Sequence, residues 1–216
     1  MKPLYWDDAR RALSRGDPVM RKVIRRCGEA HLVARGDPFL TLARSIVGQQ
    51  ISVKAAQSIW ERVAGAAREV TPQRVARMRP ATLRACGLSL RKVEYLRDLA
   101  ARFHSGEVDP THWSSLDDEA VIAELVRVRG IGRWTAEMFL IFNLLRPDVF
   151  PVDDIGLVRA FALLYPGEFA PQVRDAPAAG WQARAAAAEI AERWRPWRSV
   201  ATWYLWRSLD PVPVEY

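Results

Sequence analysis

Leu125-Val-Arg-Val-Arg-Gly-Ile-Gly-Arg-Trp-Thr-Ala-Glu-Met-Phe-Leu140 is the stretch on which the reading of this chain turns. It reads as a helix, a very tight hairpin and a second helix. Gly130 and Gly132 flank Ile131, which suits a turn whose backbone angles residues with a Cβ resist. Ala, Met, Phe and Leu follow at once, so the turn opens a helix with an apolar face to bury. Such a turn, with the first turn of the new helix, leaves successive backbone N–H groups without internal partners, which makes an anion site. Arg129 and Arg133 place positive charge beside it. A Gly-x-Gly spacing alone fits a plain interhelical turn equally well.

Toward the C-terminus, Val149-Phe-Pro-Val-Asp153-Asp154 precedes a helical pattern from Ile155 to Tyr165. An Asp at a helix start caps it, and the helix dipole favours the ionised carboxylate. Pro166 to Gly180 reads as a loop, Trp181 to Trp194 as an Ala-rich helix, and Val200 to Leu209 as the last helix, with Trp203 and Trp206. Toward the N-terminus, Asp7–Ser14 and Pro18–Arg26 read as short helices, the second capped by Asp17. Gly36-Asp37-Pro38 starts another helix. Gly48-Gln49-Gln50-Ile51-Ser52 interrupts the pattern, and Ser52 caps the helix that runs through Val63. Arg79-Pro80 starts a short helix to Cys86-Gly87. Gly87-Leu-Ser-Leu90 opens a longer one toward Phe103, a degenerate echo of the main hairpin. His104 to Trp113 reads as a polar loop, Leu116-Asp117 leads into the hairpin, and Arg146-Pro147 ends the helix beyond it. No alternating strand pattern appears. The expectation is an all-α fold of two lobes with a cleft between them.

The chain has 216 residues, half of them hydrophobic, enough for a real core. A net charge of +7 and a pI near 9.9 favour a polyanionic partner. All but four of the 32 basic residues are Arg, whose planar fork suits phosphate. Cys27 and Cys86 are the only cysteines, which excludes a disulfide framework and a four-cysteine iron–sulfur loop. The N-terminus lacks the apolar core of a signal peptide, and the apolar runs are too short to span a membrane. A cytoplasmic protein, likewise without a membrane partner, is expected.

Leu-x-x-Val-x-Gly-Ile-Gly-Arg-Trp-Thr-Ala, with Asp153-Asp154 some twenty residues later, resembles the helix–hairpin–helix DNA glycosylase superfamily. The similarity runs from residue 38 to the C-terminus, and more loosely over the first helices. Through Glu192-Arg-Trp-Arg-Pro-Trp-Arg-Ser199 it is closest to the branch that excises 3-methyladenine, in the form without an N-terminal β domain. This resemblance implies a lobe of residues 38–146 carrying the hairpin, and a second lobe of 1–37 with 147–216 carrying the catalytic Asp. It implies DNA contacts by Gly130, Ile131, Gly132, Arg133 and Thr135, with Gln50 entering the gap left by an extruded base. Matching Asp-x-x-apolar-x-Arg selects Asp154 as the catalytic group, with Leu157 and Arg159 behind it, and leaves Asp153 as a structural cap. Trp134 and Trp206 fall on base-pocket positions, with Trp197 near in sequence. Met138 stands where relatives have a Tyr. A monovalent cation, Na+ or K+, is implied on the carbonyls of Val126, Val128 and Ile131, with no other cofactor required.

A carboxylate fixed near the sugar stabilises the positive charge that builds as an N-glycosidic bond breaks, and can orient water. Trp134 occupies the position of the nucleophilic Lys of bifunctional members, and the chain has no Lys after Lys92, so a lyase step is not expected. The expected function is therefore release of 3-methyladenine and 7-methylguanine from damaged duplex DNA by a monomeric, monofunctional glycosylase of base excision repair. A non-catalytic helix–hairpin–helix DNA-binding module, or a glycosylase for an oxidised or mismatched base, are the competing readings.

Overall fold

Proline and small polar residues punctuate this chain, and nearly every such mark starts a helix. The computed structural model describes residues 2–173 and 180–209, and its regular elements there are all helical. The first are α1 (Trp6–Gly16) and α2 (Pro18–Cys27). Then come α3 (Pro38–Gly48), α4 (Val53–Ala67), α5 (Pro72–Arg77), α6 (Pro80–Ala85), α7 (Leu90–Ser105), α8 (Asp118–Leu125) and α9 (Arg133–Phe142). The last are α10 (Ile155–Leu164), α11 (Pro166–Val173), α12 (Trp181–Ala191) and α13 (Arg198–Leu209). Side chains of Asp17, Asp37, Ser52, Thr71, Ser89, Asp117 and Asp154 each accept a backbone N–H in the first turn of the helix they precede. Each satisfies a donor that a helix start leaves without a partner, and Asp17 satisfies two.

Two compact units result, Met1–Ala34 with Leu140–Glu215, and Arg35–Phe139. The division falls inside α9 rather than at the expected 146/147, and at 34/35 rather than 37/38. Packing decides it: beyond Phe139 the side chains belong to the first unit, where Phe142 stacks on Trp206 at 5.6 Å and 15°. In that unit α13 packs on α10, α2 and α1. Trp6, Tyr204, Phe161 and Trp194 are essentially buried there, each contributing about 2–3 kcal/mol by leaving water. Asp17, itself buried, binds distant segments together. Its Oδ1 accepts Val19 N–H (2.8 Å) and Met20 N–H (3.0 Å), and its Oδ2 accepts the Tyr165 hydroxyl (2.9 Å) and the Trp194 indole N–H (3.0 Å).

In the continuous unit, α7 is the central helix and packs on α3, α5 and α6. Val93, Leu96, Leu99 and Ala100 form its buried face. An aromatic file of Phe39, Phe103, Trp113 and Phe139 continues the core.

Three local expectations change. Pro166 to Gly180 was expected as a loop, but Pro166–Val173 is helical; residues 174–179 lie outside the described residues. Proline is at home in the first turn of a helix, and Phe169 anchors this one by stacking on Phe161 at 5.9 Å. The expected loop from His104 begins only after Ser105, and Pro110–Ser115 forms a 3-10 turn whose start is capped by Asp109. Helix α5 was not anticipated, although Thr71-Pro72 is a cap followed by proline at the first helical position.

Candidate active site and nucleic-acid interface

Asp154 is the N-cap of α10 and only 9% exposed. Its Oδ1 accepts the Leu157 N–H at 2.9 Å and the Trp206 indole N–H at 3.1 Å. The carboxylate is thus aimed by two donors, one from its own helix and one from α13. Gly156 makes room for it: a Cβ there would lie 2.9 Å from Asp154 Oδ1 and 3.5 Å from Trp206 Cδ1. Asp153 is not the cap that was expected. It is exposed and pairs with Arg184 Nη1 at 2.8 Å, because the cap position is filled by its neighbour. Arg159 is exposed and Leu157 buried.

The approach to Asp154 is clamped by the Glu192–Ser199 stretch. Ser199 N–H donates to Pro147 O at 3.0 Å, and Val149 N–H donates to Ser199 Oγ at 2.8 Å. Arg198 grips Asp148 through Nε (2.9 Å) and Nη2 (3.0 Å), and Arg195 Nη1 adds a third contact at 2.9 Å. Glu192 holds Arg198 in turn at 2.9 Å. The charged motif that carried the resemblance therefore serves as a brace for the segment leading to the carboxylate.

The hairpin between α8 and α9 is built around one glycine. Gly130 has φ +83, and a Cβ there would meet the Tyr95 ring at 2.2 Å. Gly132 differs: its φ is ordinary, and a Cβ there would meet nothing within 4 Å. Its lack of a side chain leaves open space outside the turn. Two N–H groups of the turn are engaged, Arg129 with Asp98 Oδ2 (2.8 Å) and Ile131 with Val128 O (3.1 Å). The anion site expected along the whole turn thereby loses these two donors. Ile131 and Thr135 are buried. Arg133 is paired with Glu119 and, through Nε at 3.0 Å, with Glu137, and these partners raise its pKa further. Its charge is spent locally, whereas the exposed Arg129 side chain has no carboxylate partner among the described residues.

Gln50 is exposed, at φ +57. Two neighbours that the sequence reading left unassigned surround it. Gln49 Nε2 donates to Gly130 O at 2.8 Å, and Lys92 Nζ donates to the carbonyls of Val47 (2.8 Å) and Gln49 (2.7 Å). Burial lowers the Lys92 pKa from its ordinary value. The hint in the sequence was Lys92 itself, one of four lysines in an arginine-rich chain.

Of the expected pocket aromatics, Trp206 belongs with Asp154, one ring face covered by Phe142 and its N–H given to the carboxylate. Trp134, 41% exposed, and the half-buried Met138 lie on α9 within the other unit. Trp197 stacks on Tyr5 at 5.7 Å. Most tryptophans are core, with Trp6, Trp60, Trp113, Trp194 and Trp203 all buried. Among the described residues no three His, Cys, Asp or Glu side chains gather as a metal site, and no helix is long and apolar enough to cross a membrane.

A Gly-Ile-Gly turn opening one helix and a buried aspartate capping another define a helix–hairpin–helix repair protein. The chain belongs to the HhH-GPD superfamily of base excision DNA repair proteins, whose family profile matches residues 43–195. It is similar to DNA-3-methyladenine glycosylase 1 of Schizosaccharomyces pombe, 33% identical over 177 residues that cover 80% of this chain and 72% of that protein. Its fold matches the crystal structure of the Bacillus halodurans DNA-3-methyladenine glycosidase at TM-score 0.79 and 33% identity, over 92% of this chain and 87% of that one. It also matches the Schizosaccharomyces pombe 3-methyladenine DNA glycosylase in complex with abasic DNA, at TM-score 0.77 and 29% identity, over 97% and 98% of the two chains. The chain spans 72%, 65% and 58% of the length of three curated relatives it matches.

Proposed function

We propose that this protein is a DNA glycosylase of base excision repair that hydrolyses the N-glycosidic bond of alkylated purines, 3-methyladenine and 7-methylguanine, after flipping them from duplex DNA. The observation that carries this is Asp154, a buried carboxylate whose Oδ1 is fixed by the Leu157 and Trp206 N–H groups. As the bond from C1′ to the base nitrogen breaks, its electron pair leaves with the base and positive charge develops on the sugar. A preorganised carboxylate lowers the energy of that charge, and water then adds to C1′ and gives up a proton. A purine methylated at N3 or N7 is cationic and departs neutral, so it needs no strong general acid. An indole such as that of Trp134, 41% exposed, suits a cationic base, a contact worth roughly 0.5–2 kcal/mol.

The enzyme is monofunctional in this reading, with Trp134 in place of a Schiff-base lysine, and acts as a monomer on damaged duplex DNA at the nucleoid, in the cytoplasm. The main-chain carbonyls of Val126, Val128 and Ile131 are neutral, hard donors that suit Na+ or K+, and that of Val128 carries one hydrogen bond, from Ile131 N–H at 3.1 Å. A cation there would steady the turn that faces phosphate.

The test is to incubate the protein with methylated duplex DNA and identify the bases set free. Release of 3-methyladenine and 7-methylguanine, with abasic sites left uncut, is expected. Excision of 8-oxoguanine or mismatched adenine without methylated purines would transfer the protein to the oxidised or mismatched class. DNA binding with no base released would leave a non-catalytic module. A covalent complex trapped by borohydride would refute the monofunctional assignment.

A further inference from the structure

Gln50 holds a left-handed backbone angle, φ +57, that a residue with a side chain adopts at a cost. Such an angle persists only where the surroundings impose it. Lys92 imposes it from one side, closing the C-terminal end of α3 by donating to the carbonyls of Val47 and Gln49. Gln49 imposes it from the other, its amide fastened to the Gly130 carbonyl in the hairpin. Helix α7 also holds the hairpin. Its Tyr95 ring fills the space beside Gly130, and its Asp98, itself held by Arg102 Nε at 3.0 Å, accepts the Arg129 N–H. Lys92, Tyr95, Asp98 and Arg102 follow one another at helical spacing, so they share one stripe of α7. That stripe fixes the Gln50 turn and the Gly130–Gly132 turn relative to each other.

We propose that Lys92 and Gln49 are positioning residues for base extrusion. They pre-set Gln50 as a wedge at a fixed spacing from the turn that grips phosphate, so that one frame holds the duplex and opens it. This rests on the glycosylase reading and specifies how that activity reaches its base. Extrusion leaves a gap in the stack and an unpaired base opposite, and a glutamine amide has both donors and an acceptor to offer there. A turn already in the inserted shape loses no further conformational freedom when it enters the gap, and preorganisation of that kind raises affinity without any new contact.

A double-mutant cycle on the full chain tests this. The quantity measured is the affinity for a duplex containing a tetrahydrofuran abasic analogue, divided by that for the same duplex intact. Stacking opposite the analogue is followed with 2-aminopurine. Lys92→Met, Gln49→Ala and Gln50→Ala are each expected to lower the ratio about tenfold. Combining Lys92→Met or Gln49→Ala with Gln50→Ala should lower it no further than Gln50→Ala alone. Lys92→Arg, which keeps two donors, should retain most of the ratio. Should Lys92→Met fail to fold, the Gln49→Ala cycle decides. Additive losses, or a fall in both affinities that leaves the ratio unchanged, overturn the positioning role even if wild-type protein releases methylated purines. Wild-type protein that neither prefers the abasic duplex nor releases any base overturns the glycosylase reading and this inference together.

Discussion

At the scale of single residues, Asp154 combines a structural duty with a chemical one, and substitution separates them. Asparagine caps a helix as well as aspartate does, so Asp154→Asn should fold normally. It should lose base release by about a hundredfold or more, because the negative charge is gone. Asp153→Asn, which breaks only the exposed pair with Arg184, should keep most activity. Gly156→Ala is the finer probe. Its Cβ would stand 2.9 Å from the carboxylate oxygen, which must move aside, and misplacing a catalytic group lowers turnover, here by about tenfold. Single-turnover excision with a thermal melt as control reads both, and an unimpaired Gly156→Ala enzyme would show that Oδ1 is not the oxygen that matters. Asp154 was legible in the sequence because helix start, spacing and motif coincide on it. The part played by Trp206 was only half legible: sequence placed the ring by the site, but an indole N–H reaching 52 positions back along the chain leaves no local trace.

At the scale of elements, the hairpin predicts opposite results from its two glycines. Gly130→Ala meets the Tyr95 ring and an unfavourable φ, and should cost about 2–4 kcal/mol of stability in a denaturant titration. Gly132→Ala should melt like the wild type yet bind all duplexes more weakly, since its Cβ enters the space a phosphate oxygen would use. Equal stability losses for both would remove the distinction. Helix α8 carries a pH signature. Its Glu124 carboxylate raises the His112 pKa above 6.5, with Asp109 assisting. A raised pKa means that the protonated pair stabilises fully below about pH 6.5 and that this contribution disappears as pH rises through the folded value. His112→Gln should therefore lower the melting temperature more at about pH 6 than at about pH 8.5. Helix positions were largely legible from caps and prolines: Asp17 and Ser52 cap as read, and Asp37 and Asp117 cap the helices whose starts the sequence marks there. What is not legible is α11, where Pro and Gly read as breakers while a buried Phe169 makes the helix worthwhile.

At the scale of the whole molecule, one unit is a single run, Arg35–Phe139, and the other is assembled from both ends of the chain. Asp17 shows what that entails. Two of its four hydrogen bonds are local, but Tyr165 lies 148 positions away and Trp194 lies 177. During synthesis the helices α1 and α2 leave the ribosome with that carboxylate facing partners that do not yet exist. The continuous unit can close over its own contacts first, since contacts near in sequence form sooner than distant ones. Pulse-labelled hydrogen exchange during refolding should accordingly protect α7 before α2, and simultaneous protection would refute this order. Helices α1 and α2 thus wait, with two of the four bonds of Asp17 unmade, until the segments that bring Tyr165 and Trp194 arrive.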